Sequence, residues 1–555
     1  PRCPRSVPKV SPDILEVSPD VLRCPQGVPR CPQVSPGALK VSPDILKVSP
    51  GVLEVSPVSP DILEVSPGVS RCPQASPRCP QMSPRWPQLS PGVPRCPQGV
   101  PRCPQVSPSV PRLSPVSPEY VVQHWQEDAF FGEQFLSGVN PVLLRRCPRL
   151  PPNFPLTAPM VVPSLGPDTS LEKEMEAGRV FLADYALLEG LPTNVIEGRP
   201  QFVAAPLCLL WLNPSGQLLP VAIQLSQHPG PSSPIFLPGS QGWALAKLWV
   251  RGSHFILHEM VTHLLHGHFL AEAFAVATQR LPAAHPVHQL LLPHLRFTFH
   301  INILARETLL NPGGIIDQAT SIGREGTLAL VARGVAALTM AELCVPEDIR
   351  ERGVGDIPGY HYRDDATAIW EAIDSYVQAI VSLFYPGDAA VAEDEELQDW
   401  VGEIFRYGVL GNQGSAGDTP GVPELVRFLT MIIFCCSARH AAVNSGQYDY
   451  AAWMPNTPGS LQRPPPAAPE EATEELLVAT MPGPAATGAL LALLSVVSYE
   501  GGEPDLLLSA PALRALGRFR SRLAAVSERI RARNARLGLP YPYLDPAGVQ
   551  ESISI

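Results

Sequence analysis

Five histidines fall within fifteen residues of this chain, at His254, His258, His263, His266 and His268. They lie in a segment that otherwise has the pattern of an apolar helix running on to Ala277. Histidine is the commonest protein ligand for metals, and neutral imidazole suits Fe, Zn, Cu and Ni. Spacing then decides which rings can share an ion. His263 and His268 are five apart, a separation that a regular α-helix turns into roughly 140° around its axis. A π-type turn, bonded i to i+5, would bring both onto one face, and such turns occur mostly at functional sites. The plainer alternative is a helix whose histidines are satisfied by backbone and water.

Further ligand types lie elsewhere in the chain. In Phe434-Cys-Cys-Ser-Ala-Arg-His440-Ala-Ala-Val-Asn444 the histidine and asparagine are i and i+4, so an ordinary helix puts both on one face. The sequence closes on Glu551-Ser-Ile-Ser-Ile555, where a free α-carboxylate would be a hard, anionic oxygen ligand. Three imidazoles, one amide oxygen and one carboxylate suit a five- or six-coordinate redox iron. Zinc hydrolysis is the rival chemistry. His258-Glu259 opens like the metalloprotease H-E-x-x-H, but Thr262 holds the fifth position and His263 comes one residue late. The i,i+4 pair of histidines that this motif needs is therefore absent.

Long helical patterns must position these groups. They run over Leu245–Ala277, His285–Leu310, Ala366–Phe384, Glu395–Tyr407, Pro423–Ala442 and Ala512–Leu537, separated by loops with proline and glycine. Glu119–Gly132 and Leu171–Gly178 predict two further helical segments. Two apolar runs, Gln201–Leu212 and Leu218–Leu225, flank the turn Asn213-Pro-Ser-Gly216 and read as a β-hairpin. The expected fold is mainly α, with a small β element.

Residues 1–118 are of another kind. They repeat Val-Ser-Pro-Asp-Ile-Leu and Arg-Cys-Pro-Gln, with proline at about every fourth position. No helix or central strand tolerates that density, so an extended low-complexity arm is expected there, with one catalytic domain over 119–555. The net charge of −11 and the lack of a basic stripe argue against nucleic acid. Cys147, Cys208, Cys344, Cys435 and Cys436 show no paired spacing, which suggests free thiols in a reducing compartment. No apolar leader opens the sequence. The uncharged run Leu476–Tyr499 is broken by Met481-Pro-Gly-Pro484 and reads as core rather than a membrane span. A cytoplasmic protein, peripheral at membranes if it touches them, is the expectation.

Several of these segments carry a resemblance. Thr262-His-Leu-Leu-His-Gly-His268, Ser437-Ala-Arg-His-Ala-Ala-Val-Asn444, Trp453-Met-Pro-Asn456 and the terminal Ser-Ile-Ser-Ile555 resemble animal lipoxygenases. Gly359-Tyr-His-Tyr-Arg-Asp-Asp365 and Pro540-Tyr-Pro-Tyr-Leu-Asp-Pro546 do so as well, and the likeness runs from about Glu119 to Ile555. The nearest subgroup is epidermal: the 12R-lipoxygenase, the epidermal hydroperoxide isomerase and the second 15-lipoxygenase. The resemblance implies a large helical catalytic domain, with the family's N-terminal β-sandwich replaced here by the repeat arm. It implies one non-heme iron held by His263, His268, His440, Asn444 and the carboxylate of Ile555, with His258 behind the ligands.

By the same resemblance the substrates are a polyunsaturated fatty acid, free or esterified, and O2, and the product is a hydroperoxide. Ala305 implies S stereochemistry, and Leu309 matches a leucine on the oxygen path. Phe255, Ala319 and Thr320 fall where the family sets pocket depth. Leu304 stands where some members carry a carboxylate-tethering arginine, and Arg306 is the nearby substitute. A monomer is expected. The competing expectations are an isomerase that turns fatty-acid hydroperoxides into epoxyalcohols, and an inactive, truncated lipoxygenase-like protein.

Overall fold

Strands with apolar residues at every position, rather than alternate ones, must be buried on both faces. The runs Leu207–Leu212 and Leu218–Gln224 are of this kind. In the computed structural model, which describes residues 116–408, 421–495, 507 and 509–554, they form the hairpin β5–β6, paired Leu212 to Leu218. The hairpin is the centre of a five-stranded antiparallel sheet in the order β1-β2-β5-β6-β7, with β1 at Arg145–Arg146, β2 at Val180–Asp184 and β7 at Ile235–Phe236. A separate two-stranded ribbon pairs β3 (Val195–Ile196) with β4 (Arg199–Pro200). The expected hairpin is thus present, but its first strand starts at Leu207 and not at Gln201.

The sheet divides two hydrophobic cores. Leu207, Leu209 and Trp211 pack with Phe154, Val161 and Leu171 on one side. Cys208 and Leu210 alternate with them and face the main helical core. Glu174 is buried beneath the smaller core, where it accepts hydrogen bonds from Trp211 Nε1 (2.7 Å), Arg179 Nε (2.6 Å) and Thr169 Oγ1 (2.6 Å).

Helices fill the remainder. In chain order the ones that matter are α1 (Asp128–Ser137), α2 (Trp243–Leu257), α3 (Leu270–Thr278), α4 (Thr298–Ala305), α5 (His361–Phe384), α6 (Val422–Phe434), α7 (His440–Asn444) and α8 (Ala510–Asn534). Helix α5 packs on α6 and α8, and α1 packs on β6. At that last crossing Gly132 is required, because a Cβ there would sit 1.8 Å from the Leu218 carbonyl oxygen. Glycine in mid-helix costs about 1 kcal/mol, which this close approach offsets.

Two expected helices are interrupted. Glu119–Gly132 breaks between His124 and Asp128. The carbonyls of Trp125 and Gln126 turn outward to accept from Arg251 and Lys247, so tertiary donors replace helical ones. His285–Leu310 divides into Pro286–Leu295, α4 and a π turn at Arg306–Leu310. Pro293 removes one N–H from the last turn of the first piece. The long pattern through Leu245–Ala277 is continuous, but its centre, His258–Phe269, is twelve residues of π-helix. A shorter π turn, Cys435–Arg439, joins α6 to α7.

The run Val422–Ala451 is long and apolar enough to cross a membrane, and 89% of its most apolar window is buried inside the protein. The expected run Leu476–Tyr499 passes outside the described residues after Ser495; in its described part, helices Glu474–Thr480 and Pro484–Leu494 meet at a 58° bend.

Candidate metal centre

The π-helix explains how residues five apart converge. Its i→i+5 bonding stacks His263 and His268 on one face, and α7 brings His440 against them. The Nε2 atoms form a near-equilateral triangle: 3.2 Å from His263 to His440, 3.2 Å from His268 to His263 and 3.3 Å from His440 to His268. His268 and His440 are buried, and His263 nearly so.

Where the ring protons sit follows from the neighbours. Asn302 donates its amide to the His268 carbonyl (2.8 Å) and to Glu272 Oε2 (2.7 Å), which leaves Asn302 Oδ1 as an acceptor. His268 Nδ1, 3.0 Å from that oxygen, must therefore carry the proton, and its Nε2 is a bare lone pair. His263 Nδ1 lies 3.2 Å from Glu259 Oε2 and 3.0 Å from the Gln447 side-chain amide. The carboxylate favours the Nδ1–H form, whereas Gln447 Nε2 is a donor and favours the Nε2–H form, so the two neighbours pull the His263 proton opposite ways.

Burial keeps the rings neutral. It pushes His263 down to about 4 and, with the charge of His263 added, His268 to about 3. Burial and the two facing histidines also hold His440 well below its ordinary value. Lone pairs held about 3 Å apart repel one another unless a cation lies between them. The donor set thus fits a metal ion of the imidazole-binding group.

The remaining histidines of the cluster have other employment. His258 donates from Nε2 to the Val443 carbonyl (2.7 Å), and its ring stacks on His263. Its Nδ1 faces Glu259 Oε1 at 3.4 Å; burial raises the Glu259 carboxyl, and one proton shared there would satisfy both atoms. His266 Nδ1 accepts from Arg439 Nη2 at 3.2 Å. His254 meets the Tyr185 hydroxyl at 3.0 Å. His258 thus touches the His263 ring through that stacking and reaches α7 through its bond to Val443.

Asn444 ends the helix that His440 begins, and its Oδ1 accepts from Gln447 Nε2 at 3.2 Å. Ile555 lies outside the described residues. The tail that leads to it, Ser552, Ile553 and Ser554, is buried.

The expected pocket residues separate into two groups. Phe255, Ala319 and Thr320 are buried, and a Cβ on Gly459 would meet Ala319 O at 2.9 Å, Leu490 Cδ2 at 3.0 Å and Phe255 Cε1 at 3.4 Å. Phe255 and Ala319 therefore share one wall with Gly459 and Leu490, which sequence reasoning missed. The Thr320 hydroxyl is used internally, donating to Ile316 O and accepting from Gly323 N. Ala305 and Leu309 are half-buried on α4 and the π turn after it, while Leu304 and Arg306 face outward. Arg306 already holds a carboxylate, Glu272, and lies over the Phe269 ring.

Glu259, Asn302, Glu272 and Gln447 support the ligand rings and were also missed. The available signal was position: Glu259 is four before His263, and Gln447 three after Asn444.

The lipoxygenase family model matches residues 114–539. The chain belongs to the lipoxygenase family. This lipoxygenase chain is 50% identical over 456 residues to the polyunsaturated fatty acid lipoxygenase ALOX15B of Rattus norvegicus, covering 79% of the chain and 67% of that protein. It is 52% identical over 452 residues to the hydroperoxide isomerase ALOXE3 of Rattus norvegicus, covering 79% and 63% respectively. The chain thus spans about two thirds of the length of these relatives. Among solved structures, it is similar to a lipoxygenase in complex with arachidonate (TM-score 0.75, 34% identity, 79% of this chain and 68% of that one). A coral 8R-lipoxygenase gives a TM-score of 0.74 at 34% identity, covering 78% and 67%. The mainly helical expectation and the family resemblance are both borne out.

Proposed function

We propose that this chain is a non-heme iron dioxygenase that inserts O2 into polyunsaturated fatty acids to give S-hydroperoxides. The observation that carries the reading is the triangle of imidazole Nε2 atoms that the π-helix and α7 bring together, in a chain of this family. His263, His268 and His440 would hold the iron, with Asn444 and the carboxylate of Ile555 completing the set. Iron held there would supply the one-electron redox change that removes a hydrogen atom from a bis-allylic CH2.

The chain's own residues do the rest. Asn302 and Glu259 fix the ring orientations through Nδ1. Phe255 and Ala319 bound the apolar end of the substrate site, and Ala305 and Leu309 govern the face on which O2 arrives. The outward Leu304 and the Glu272-paired Arg306 leave the fatty-acid head group without a dedicated buried cation among the proposed pocket residues, which suits an esterified or tail-first substrate.

The catalytic domain in this reading is 119–555, supported by the composition change near Glu119 and by a family match that starts at 114. A cytoplasmic monomer that touches membranes only transiently completes it, supported by five free, buried cysteines.

The test is oxygen uptake by the purified, iron-assayed chain with arachidonate, followed by chiral analysis of the product. Uptake with an S-hydroperoxide product is expected. Epoxyalcohol from added hydroperoxide, without oxygen uptake from arachidonate, would replace this reading with the isomerase.

A further inference from the structure

Helix α2 buries two cations one turn apart, and α1 sets one carboxylate, Asp128, beside them. Lys247 is 2% exposed and pairs with Asp128 at 2.5 Å. Arg251 is 5% exposed. Its Nη2 donates to the Trp125 carbonyl, and its guanidinium lies 4.9 Å from the Phe131 ring centre. Its Nε and Nη1 have no hydrogen-bond partner among the described residues. Guanidinium stays charged inside proteins, and an unpaired buried charge is costly.

A cavity of about 30 Å³ adjoins this side chain, lined among others by Phe131, Gln134, Phe135, Arg251, His254 and Asn456. The amides of Gln134 and Asn456 close on each other (2.9 and 3.1 Å) and offer the cavity little. His254 is one turn beyond Arg251 on the same helix. When the Tyr185 hydroxyl donates to His254 Nδ1, the ring's Nε2 carries the proton and becomes another donor. The lining is therefore rich in donors and poor in acceptors. A cavity that holds a water needs about 10–15 Å³, so this one has room for a small ion.

We infer that Arg251 and His254 hold a chloride-sized monovalent anion in this cavity. The ion supplies the charge that Asp128 cannot give twice. It also pins the junction where α2 passes into the π-helix, one turn before His258. The inference is independent of the metal and of the substrate.

The experiment uses the full, metal-loaded chain with sodium bromide as the probe. Crystals soaked in bromide are expected to show an anomalous peak beside Arg251 Nε and Nη1. At constant ionic strength, exchanging gluconate for bromide is expected to raise Tm by several degrees. His254→Glu places a carboxylate one turn from Arg251, and in that variant the bromide effect and the peak should both vanish. Absence of the peak, with equal Tm in the two salts, would show a water-filled cavity and overturn the inference. An equal rise of Tm in both proteins would show a general halide effect. A peak without a Tm response would show an adventitious ion only, and would overturn it equally.

Discussion

Among the described residues, two groups of side chains bring possible metal ligands within 4.8 Å of one another: His263, His268 and His440, and His285, Asp394 and Glu396. Proximity alone does not separate them; the position of the ring proton does. His285 Nδ1 accepts from the Val287 backbone N–H at 3.2 Å, so Nε2 must carry the proton, and it donates to Asp394 Oδ2 at 3.2 Å. Asp394 also accepts from the Tyr385 hydroxyl (2.7 Å) and from Leu397 N (3.0 Å). His285 caps helix Pro286–Leu295 and Asp394 caps Glu395–Tyr407, so this group is a joint between two helix starts. In the other group Asn302 holds the His268 proton on Nδ1 and turns that ring's lone pair inward, beside the Nε2 atoms of His263 and His440. One sequence alphabet thus makes a clamp in one place and a ligand face in another.

Removing a ligand tests the contrast most directly. His263→Ala is expected to lose iron, measured by mass spectrometry, and to lower oxygen uptake by at least ~100-fold, beyond the loss typical of an outer-shell change. Full activity of that variant would remove the iron reading. Asn302→Leu keeps all three imidazoles but frees the His268 proton to choose its nitrogen. Metal affinity should fall about 10- to 100-fold, which a competition titration against a chelator measures; unchanged affinity would mean that Asn302 does not set the tautomer.

Acid should separate the two groups next. His263 and His268 bind protons less readily folded than at their ordinary 6.5, falling to about 4 and about 3. The unfolded chain therefore holds more protons between those values, and folding stability must fall as pH drops from about 6.5 towards 4. Denaturant melts of the metal-free chain across that range should show the loss, and a flat profile would contradict the assigned neutral rings. The smallest effect belongs to the clamp. His285→Ala should retain iron and turnover yet cost about 1 kcal/mol as a lost cap, read as a lower denaturant midpoint; lost iron would make it a metal site after all.

Much of the ligand face was legible because it is written in fixed intervals. The interval of five from His263 to His268 demanded a π turn, and a twelve-residue π-helix is present. The interval of four from His440 to Asn444 asked only for an ordinary helix, which is what they have. The groups behind the ligands were not legible. Asn302 comes from α4 and obeys no periodicity with His268, so only folding reveals the pair. The break at Trp125 was hidden for the same reason, because its cause is a donor 126 residues away. The Gly459 wall carries no pattern that sequence could display.

The helix run from Val422, which delivers His440, has the greasiness of a bilayer span and yet is packed inside the protein. Partners that cover it, α5, the helix Pro286–Leu295 and the π-helix His258–Phe269, precede it in the chain. Domains generally take shape during synthesis from the N-terminal side. When this segment leaves the ribosome, the surfaces that shelter it have already been made, and the order of translation itself guards against its capture by membrane or by its own kind.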